Sequence, residues 1–463
     1  MSPASKGQAR ESQQSALKQG VSLWGIVALG AGTAIGVAIF SIVAPGAALA
    51  GPAMLLSMLI AVVPMILFAV TYAFMGSAAP TSGASYEWSR RFIHPFVGFI
   101  IGWLRIAGST SALVLYAFVL VQYWSMIVDL PPKPSMLAIL AVFYLMNTIG
   151  VSVVARGQAV MVFVLLVTCT VLVVSAFAVG DAGNFTPMLT HGWNGVFAAV
   201  ALMVSLFLGI EAATEVGEEV KDARRTIPLG IALSIVLTAS IYFAVAAAAI
   251  AVLGAGPLGA SEAPLLDMAK ATLGSYGQPL ILISATVAIG TSLNAISLIF
   301  SRSLFAMGRS GVLPAMLARV HPRWGTPWVA TTVVFALCTL GLLMPLNLVF
   351  LFLAVNIPTL LKYGATSFAA TRVVRHHRDI YDAAPFKLKP EAMQAWAWTG
   401  VFCALGVIAL GLSADWRPYA VLGGWFVLGL VYYAARNRRQ PPPALRDPSS
   451  TLSVTGHQRE DRT

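Results

Sequence analysis

The sequence predicts an all-α integral membrane protein with about twelve transmembrane helices. Three observations carry that expectation. Of 463 residues, 58% are hydrophobic and only 10% charged, which would leave a soluble domain of this size with an apolar surface. Polar clusters separate apolar segments of membrane-crossing length, at roughly 22–48, 52–78, 96–128, 134–153, 158–180, 194–217, 228–254, 277–306, 327–345, 347–371, 395–412 and 417–435. Finally, Lys and Arg fall on alternate loops. The outer loops hold only Lys133, Lys270 and Arg417, and Arg105 and Lys362 lie within spans. The rest, Arg90, Arg91, Lys221, Arg224 and Arg225 among them, share the side of the N-terminus. This positive-inside bias puts both termini in the cytoplasm. The net charge of +11 therefore reflects topology and gives no reason to expect nucleic acid.

Residues 1–20 are polar, with no apolar core of a signal peptide, and read as a disordered cytoplasmic tail. The first span carries Gly30-Ala31-Gly32-Thr33-Ala34-Ile35-Gly36-Val37-Ala38-Ile39-Phe40 at its centre. Two readings fit such a stretch: a small-residue face for close helix packing, or a break in the helix, which survives at that depth only against protein or a wet cavity. Pro45-Gly46 and Gly51-Pro52 mark a tight outer turn. The second span ends at the polar loop Pro80 to Tyr86, and Arg90-Arg91 hold that loop inside. The third span carries Arg105 and ends at Tyr123-Trp124, an interfacial anchor. Gly150 to Gln158 separates the fourth span from the fifth.

The sixth span is interrupted like the first. Ser205-Leu206-Phe207-Leu208-Gly209-Ile210-Glu211 places a glycine and a carboxyl in apolar surroundings, and Glu215 follows one turn on. A five-span unit repeated once has inverted topology, so the two interruptions hold corresponding positions, the best sequence pointer to a site at the bilayer midplane. The resulting layout is a 5+5 inverted-repeat core over 21–375, with spans one to five at about 21–180 and six to ten at about 194–372. Two further spans fill 393–436, and 437–463 forms a disordered cytoplasmic tail.

These residues resemble the amino acid–polyamine–organocation permeases. Gly30 to Phe40 matches that family's first-span G-x-G-x-x-x-G motif. Phe207 to Glu211 with Glu218 to Pro228 matches its sixth-span motif, and Ser301 to Pro314 matches the inner loop after span eight. Ala38 and Ala223 depart from it, standing where most members carry glycine and proline. The resemblance implies the leucine-transporter-like fold with discontinuous helices 1 and 6, and an amino acid or polyamine as substrate. It implies secondary-active, proton-coupled uptake across the cytoplasmic membrane by alternating access, with exchange or sodium symport as alternatives. A non-transporting sensor subunit is a further reading. No catalytic residue and no cofactor is expected, and a monomer or homodimer is.

The expected chemistry follows from an amino acid's two charges. Free N–H groups after the first break, at Gly36, Val37 and Ala38, suit the carboxylate. Carbonyls before each break suit the ammonium, those of Ala34 and of Ser205, Phe207 or Leu208, beside Gly209. Intramembrane acids are functional by default, so Glu211 and Glu215 are candidates for proton coupling or gating; a paired structural acid is the alternative. Lys362 either serves that electrostatic role, in place of the fifth-span lysine many members carry, or snorkels to the inner interface. Thr291 and Ser292 resemble the hydroxyl pair that joins first-span carbonyls, here Gly32 and Ile35, around sodium in relatives; back-bonding to their own helix is the alternative. Cys169, Cys338 and Cys403 sit in apolar segments as small core residues, with no metal-ligand spacing.

Overall fold

In a computed structural model the chain is described over residues 21–35, 37–81, 83–125, 127–149, 151–209, 214, 217, 220–261, 263–344, 346, 348–412 and 415–439. The helices in order are α1 (Leu23–Ile35), α2 (Ala38–Ala50), α3 (Met54–Ala78), α4 (Ala84–Phe92), α5 (Pro95–Ser125), α6 (Pro132–Ile149), α7 (Val151–Val179) and α8 (Gly192–Met203). They continue as α9 (Ala223–Leu253), α10 (Ala255–Ala260), α11 (Pro264–Leu273), α12 (Gly277–Arg309), α13 (Trp328–Gly341), α14 (Leu348–His376), α15 (Arg378–Ala383), α16 (Pro390–Gly411) and α17 (Arg417–Arg439). Among the described residues six helical stretches are long and apolar enough to cross a membrane, and the only β-type pairing is one isolated bridge. Helices close every backbone hydrogen bond within the segment, which is what a lipid solvent demands.

Burial separates centre from periphery. The apolar window of α5 is 83% buried, whereas those of α16 and α17 are 22% and 17% buried. At about 1.5 Å per residue, the 31 residues of α5 outreach the hydrocarbon core, so it forms a central post. On it pack α14 and α12. The first helix, α1, lies against α9, α12 and α7, while α8 lies against α2 and α3. The two ends of this layer meet: Val21, before α1, pairs in parallel with Val220, and the Lys221 N–H donates to the Val21 carbonyl at 3.1 Å.

Several boundaries differ from the expectation. The outer turn is the 3₁₀ turn Gly51–Ala53, with Gly51 at φ 60° and Pro52 beside it; Pro45-Gly46 lies outside it, because α2 runs through Pro45 to Ala50, a proline removing one ladder bond that neighbouring protein can offset. The expected linker Gly150 to Gln158 is helical from Val151, since a helix keeps the peptide groups around Arg156 satisfied at the interface. Ala84–Phe92, expected within a loop region, forms α4, with Glu87 in its first turn and Arg90 and Arg91 in its last, matching the helix dipole. The expected sixth span, 194–217, is helical only to Met203 before it changes form. Two short helices, α10 and α11, occupy what the sequence left as a connection.

Candidate functional site

The first apolar segment is interrupted where its glycines predict. α1 ends at Ile35 and α2 begins at Ala38, with Val37 at the junction; beyond it the Phe40 N–H donates to the Val37 carbonyl at 3.1 Å. Gly36 lies outside the described residues. In the second interruption α8 gives way at Val204–Phe207 to a 3₁₀ turn, Leu208 is extended at ψ 129°, and Gly209 takes φ 104°. A side chain at that φ is strained, which is why the bend carries a glycine. Glu211 and Glu215 lie outside the described residues.

Between the two interruptions is a small cavity of about 30 Å³. Its walls are Ala34, Val37 and Ala38 beside the first break, Ser205 and Leu208 at the second, Leu115 and Tyr116 from α5, and Phe352, Val355 and Asn356 from α14. Most of these side chains are apolar, with Ser205, Tyr116 and Asn356 as polar points. Phe207 is set back, 1% exposed, its ring edge-on to Tyr242 at 6.1 Å. Gly209 shapes the bend, its N–H donating to the Tyr363 hydroxyl at 3.1 Å, and the Asn356 amide donates to Ser205 Oγ at 3.1 Å. Thus α14 grips the second break at two points.

The last carbonyls of a helix have no partner within it, and at the end of α1 side-chain hydroxyls supply them. Tyr242 Oη of α9 donates to the Ala34 and Ile35 carbonyls at 2.7 and 3.1 Å. Thr291 Oγ1 and Ser292 Oγ of α12 donate to the Gly32 carbonyl at 3.0 and 2.9 Å, and Thr291 also back-bonds to Ala288 at 2.6 Å. The structure therefore brings Gly32, Ile35, Thr291 and Ser292 to the end of one helix, with both hydroxyls on the Gly32 carbonyl. A cation there would have to displace both hydroxyl protons from the Gly32 oxygen. Beyond the break, Tyr123 Oη donates to the Phe40 carbonyl at 3.3 Å.

Lys362 does not snorkel. It is fully buried, with its ammonium 5.2 Å from the Tyr363 ring and 5.9 Å from the Tyr72 ring. Tyr72 Oη contacts Ser85 Oγ at 3.1 Å and accepts from Thr366 at 3.0 Å, so α3, the start of α4, and α14 close together below the cavity. Gly83, at φ 65°, lets α4 turn against α12, where a Cβ would stand 2.8 Å from that of Ala306. Tyr86 on α4 contacts Ser310 at 2.5 Å; burial pushes its hydroxyl well above the usual range. His377, just past α14, is pulled below its usual value by burial, which the nearby Asp379 carboxylate partly offsets.

Tyr116, Tyr242 and Tyr363 were not singled out from the sequence as site residues. Each is a polar tip within an otherwise apolar helix, a signal that was legible but too common to rank. Asn356, a carboxamide in the middle of α14, was the clearest of the overlooked ones. Among the described residues no group of three or more His, Cys, Asp or Glu side chains could hold a metal.

Residues 21–428 match the family model described as "Amino acid permease". The chain belongs to the amino acid permease family. The permease is 34% identical over 326 residues to an uncharacterized transporter of Mycobacterium tuberculosis, covering 69% of this chain and 72% of that protein. It is 26% identical to the branched-chain amino acid permease BcaP of Bacillus subtilis, over 93% of this chain and 96% of that one. A methylthioribose transporter of the same organism is also 26% identical, over 93% and 95%. The family and the transporter-named relatives point to a transporter and not an enzyme, with an amino acid as its small-molecule substrate, and the long apolar helices fit a multi-pass membrane protein.

Proposed function

We propose that the permease is a secondary-active, proton-coupled carrier of neutral amino acids with apolar side chains, working by alternating access in the cytoplasmic membrane. The observation that carries this reading is the cavity between two helix interruptions, one in the first long apolar segment and one in the sixth. In this reading α1–α2, α3, α5, α6 and α7 form one five-span unit. The segment begun by α8, then α9, α12, α13 and α14, forms its inverted copy, with α16 and α17 as spans eleven and twelve and both termini cytoplasmic. The side-by-side approach of Val21 and Val220 supports the inversion, since the entry to the first span and the exit of the sixth then share a face.

The α-carboxylate is held by the start of α2, at Gly36, Val37 and Ala38, where peptide N–H groups and the helix dipole converge. The ammonium is met by the Ala34 carbonyl and by the Ser205 to Leu208 turn. Leu115, Leu208, Phe352 and Val355 leave the side chain an apolar surrounding, which suits leucine-like solutes better than charged ones; the name of BcaP points the same way. Glu211, Glu215 and Lys362 are the charges through which a proton would act on the breaks, because a carboxyl is retained in the bilayer only where it is used or paired. Purified protein in liposomes should exchange labelled leucine in counterflow and accumulate it under an inward pH gradient without sodium. Counterflow by none of the proteinogenic amino acids would remove the carrier reading; accumulation driven by sodium alone would replace the proton with Gly32, Ile35, Thr291 and Ser292 as the coupling site.

A further inference from the structure

We propose that Arg105 is a second carboxylate-binding residue of the transport path, receiving the carboxylate of the amino acid after it leaves the break in the first span. The inference rests on the carrier reading above and extends it. Arg105 lies on α5 at 9% exposure, and Ser109, one turn on, at 6%. The Arg105 Nε is fully enclosed and, among the described residues, has no hydrogen-bond partner. Arg105 and Ser109 both border a separate small cavity of about 30 Å³, walled opposite by Val355, Pro358 and Thr359 of α14 and by Ile296 of α12.

Arginine stays charged at any accessible pH, and an enclosed guanidinium N–H without an acceptor is among the most costly groups a membrane interior can hold. None of the residues lining this cavity is acidic. Thr359 spends its own proton on the Val355 carbonyl, at 2.8 Å, and so offers the space no donor. The donors in this cavity are therefore the planar guanidinium fork and the Ser109 hydroxyl. That set matches a carboxylate, which accepts two parallel N–H bonds in plane. It also repels lysine-like side chains and polyamines.

The cavity adjoins the path. Val355 walls both this space and the one between the breaks. Residues 105, 109, 112 and 116 follow one another at helical spacing on a single face of α5, from the guanidinium to the substrate cavity. Gly108 faces Pro358 so closely that a Cβ would stand 3.1 Å from that ring, giving a neck rather than an open channel. A carboxylate leaving the peptide N–H groups at the start of α2 thus meets a second partner, this one cationic, before it reaches water.

Thermal unfolding of the purified full-length protein tests this directly, with propionate and propionamide as probes of equal shape. Propionate should stabilise the wild type and propionamide should not; Arg105→Met should abolish the propionate effect and Arg105→Lys should keep part of it. In liposomes Arg105→Met should lower leucine counterflow about tenfold or more, the loss expected for one charge-assisted pair, while size-exclusion behaviour stays that of the wild type. Equal protection of wild type and Arg105→Met by propionate would overturn the proposal, as would chloride protecting as well as propionate at matched ionic strength. Glutamate transported in preference to leucine, with the preference lost in Arg105→Met, would keep Arg105 as the carboxylate partner but assign it the substrate's side chain, overturning the neutral-substrate reading. Arg105-dependent propionate protection in a protein that exchanges no amino acid would sink the carrier reading and leave the carboxylate site standing.

Discussion

Replacing Tyr242 by phenylalanine deletes one oxygen and tests how the first break is held. The ring stays edge-on to Phe207, 6.1 Å away, so packing is conserved and only the hydrogen bonds are removed. Those bonds, 2.7 and 3.1 Å to the Ala34 and Ile35 carbonyls, are fully buried. The single hydroxyl proton serves one carbonyl at a time, so the loss is that of one buried bond, with an acceptor left unsatisfied. That costs about 1–3 kcal/mol, and no water is expected to replace the donor in an apolar enclosure. Equilibrium unfolding in mixed detergent and SDS micelles should show this loss. The same substitution loosens the carbonyl proposed to meet the substrate ammonium, so the apparent KM for leucine should rise by several-fold. An unchanged unfolding midpoint together with an unchanged KM would refute the idea that Tyr242 completes the end of α1.

Other substitutions probe neighbouring contacts. Gly209→Ala forces a side chain onto φ 104° and should cost on the order of 1–3 kcal/mol, with counterflow reduced more than binding because the bend is part of the moving element. The pair Thr291→Val and Ser292→Ala removes both donors to the Gly32 carbonyl; it should lower stability by about 1–3 kcal/mol and leave the pH-driven accumulation sodium-independent. His377 has its protonation disfavoured by burial. Its contribution is therefore complete above its usual value of 6.5 and declines as pH falls below it. His377→Gln should flatten the dependence of the unfolding midpoint on pH between about 7 and 5.

The breaks were legible because they violate a local rule: glycines in the middle of apolar segments have no reason to be there unless the backbone uses them. Gly209, at φ 104°, is such a residue, and its replacement by any other would be read as an ordinary helix. What completes the breaks was not legible, because it comes from far along the chain. Tyr242 and the Ala34 carbonyl it serves are 208 residues apart, and Asn356 stands 151 residues from Ser205. No periodicity in a single helix encodes such a pairing. Helix ends differ from the expectation where polar residues suggest a loop, as between Gly150 and Gln158, because a polar residue interrupts hydropathy without interrupting the backbone hydrogen bonds of the helix.

Arg105 and Lys362 show where sequence reading stops and tertiary packing begins. Both stand out as charges in apolar spans, and both are expensive in lipid, so the sequence marks them equally. Their environments divide them. Lys362 has aromatic faces around it and a hydroxyl cluster beside it, surroundings that stabilise a fixed cation between α3, α4 and α14. Arg105 has a cavity. A charge whose surroundings are complete acts on the helices that enclose it, which is the part proposed for Lys362. A charge bordering a cavity next to the one between the breaks can take its partner from outside, and in the proposed carrier of zwitterions the carboxylate is the one anion certain to pass.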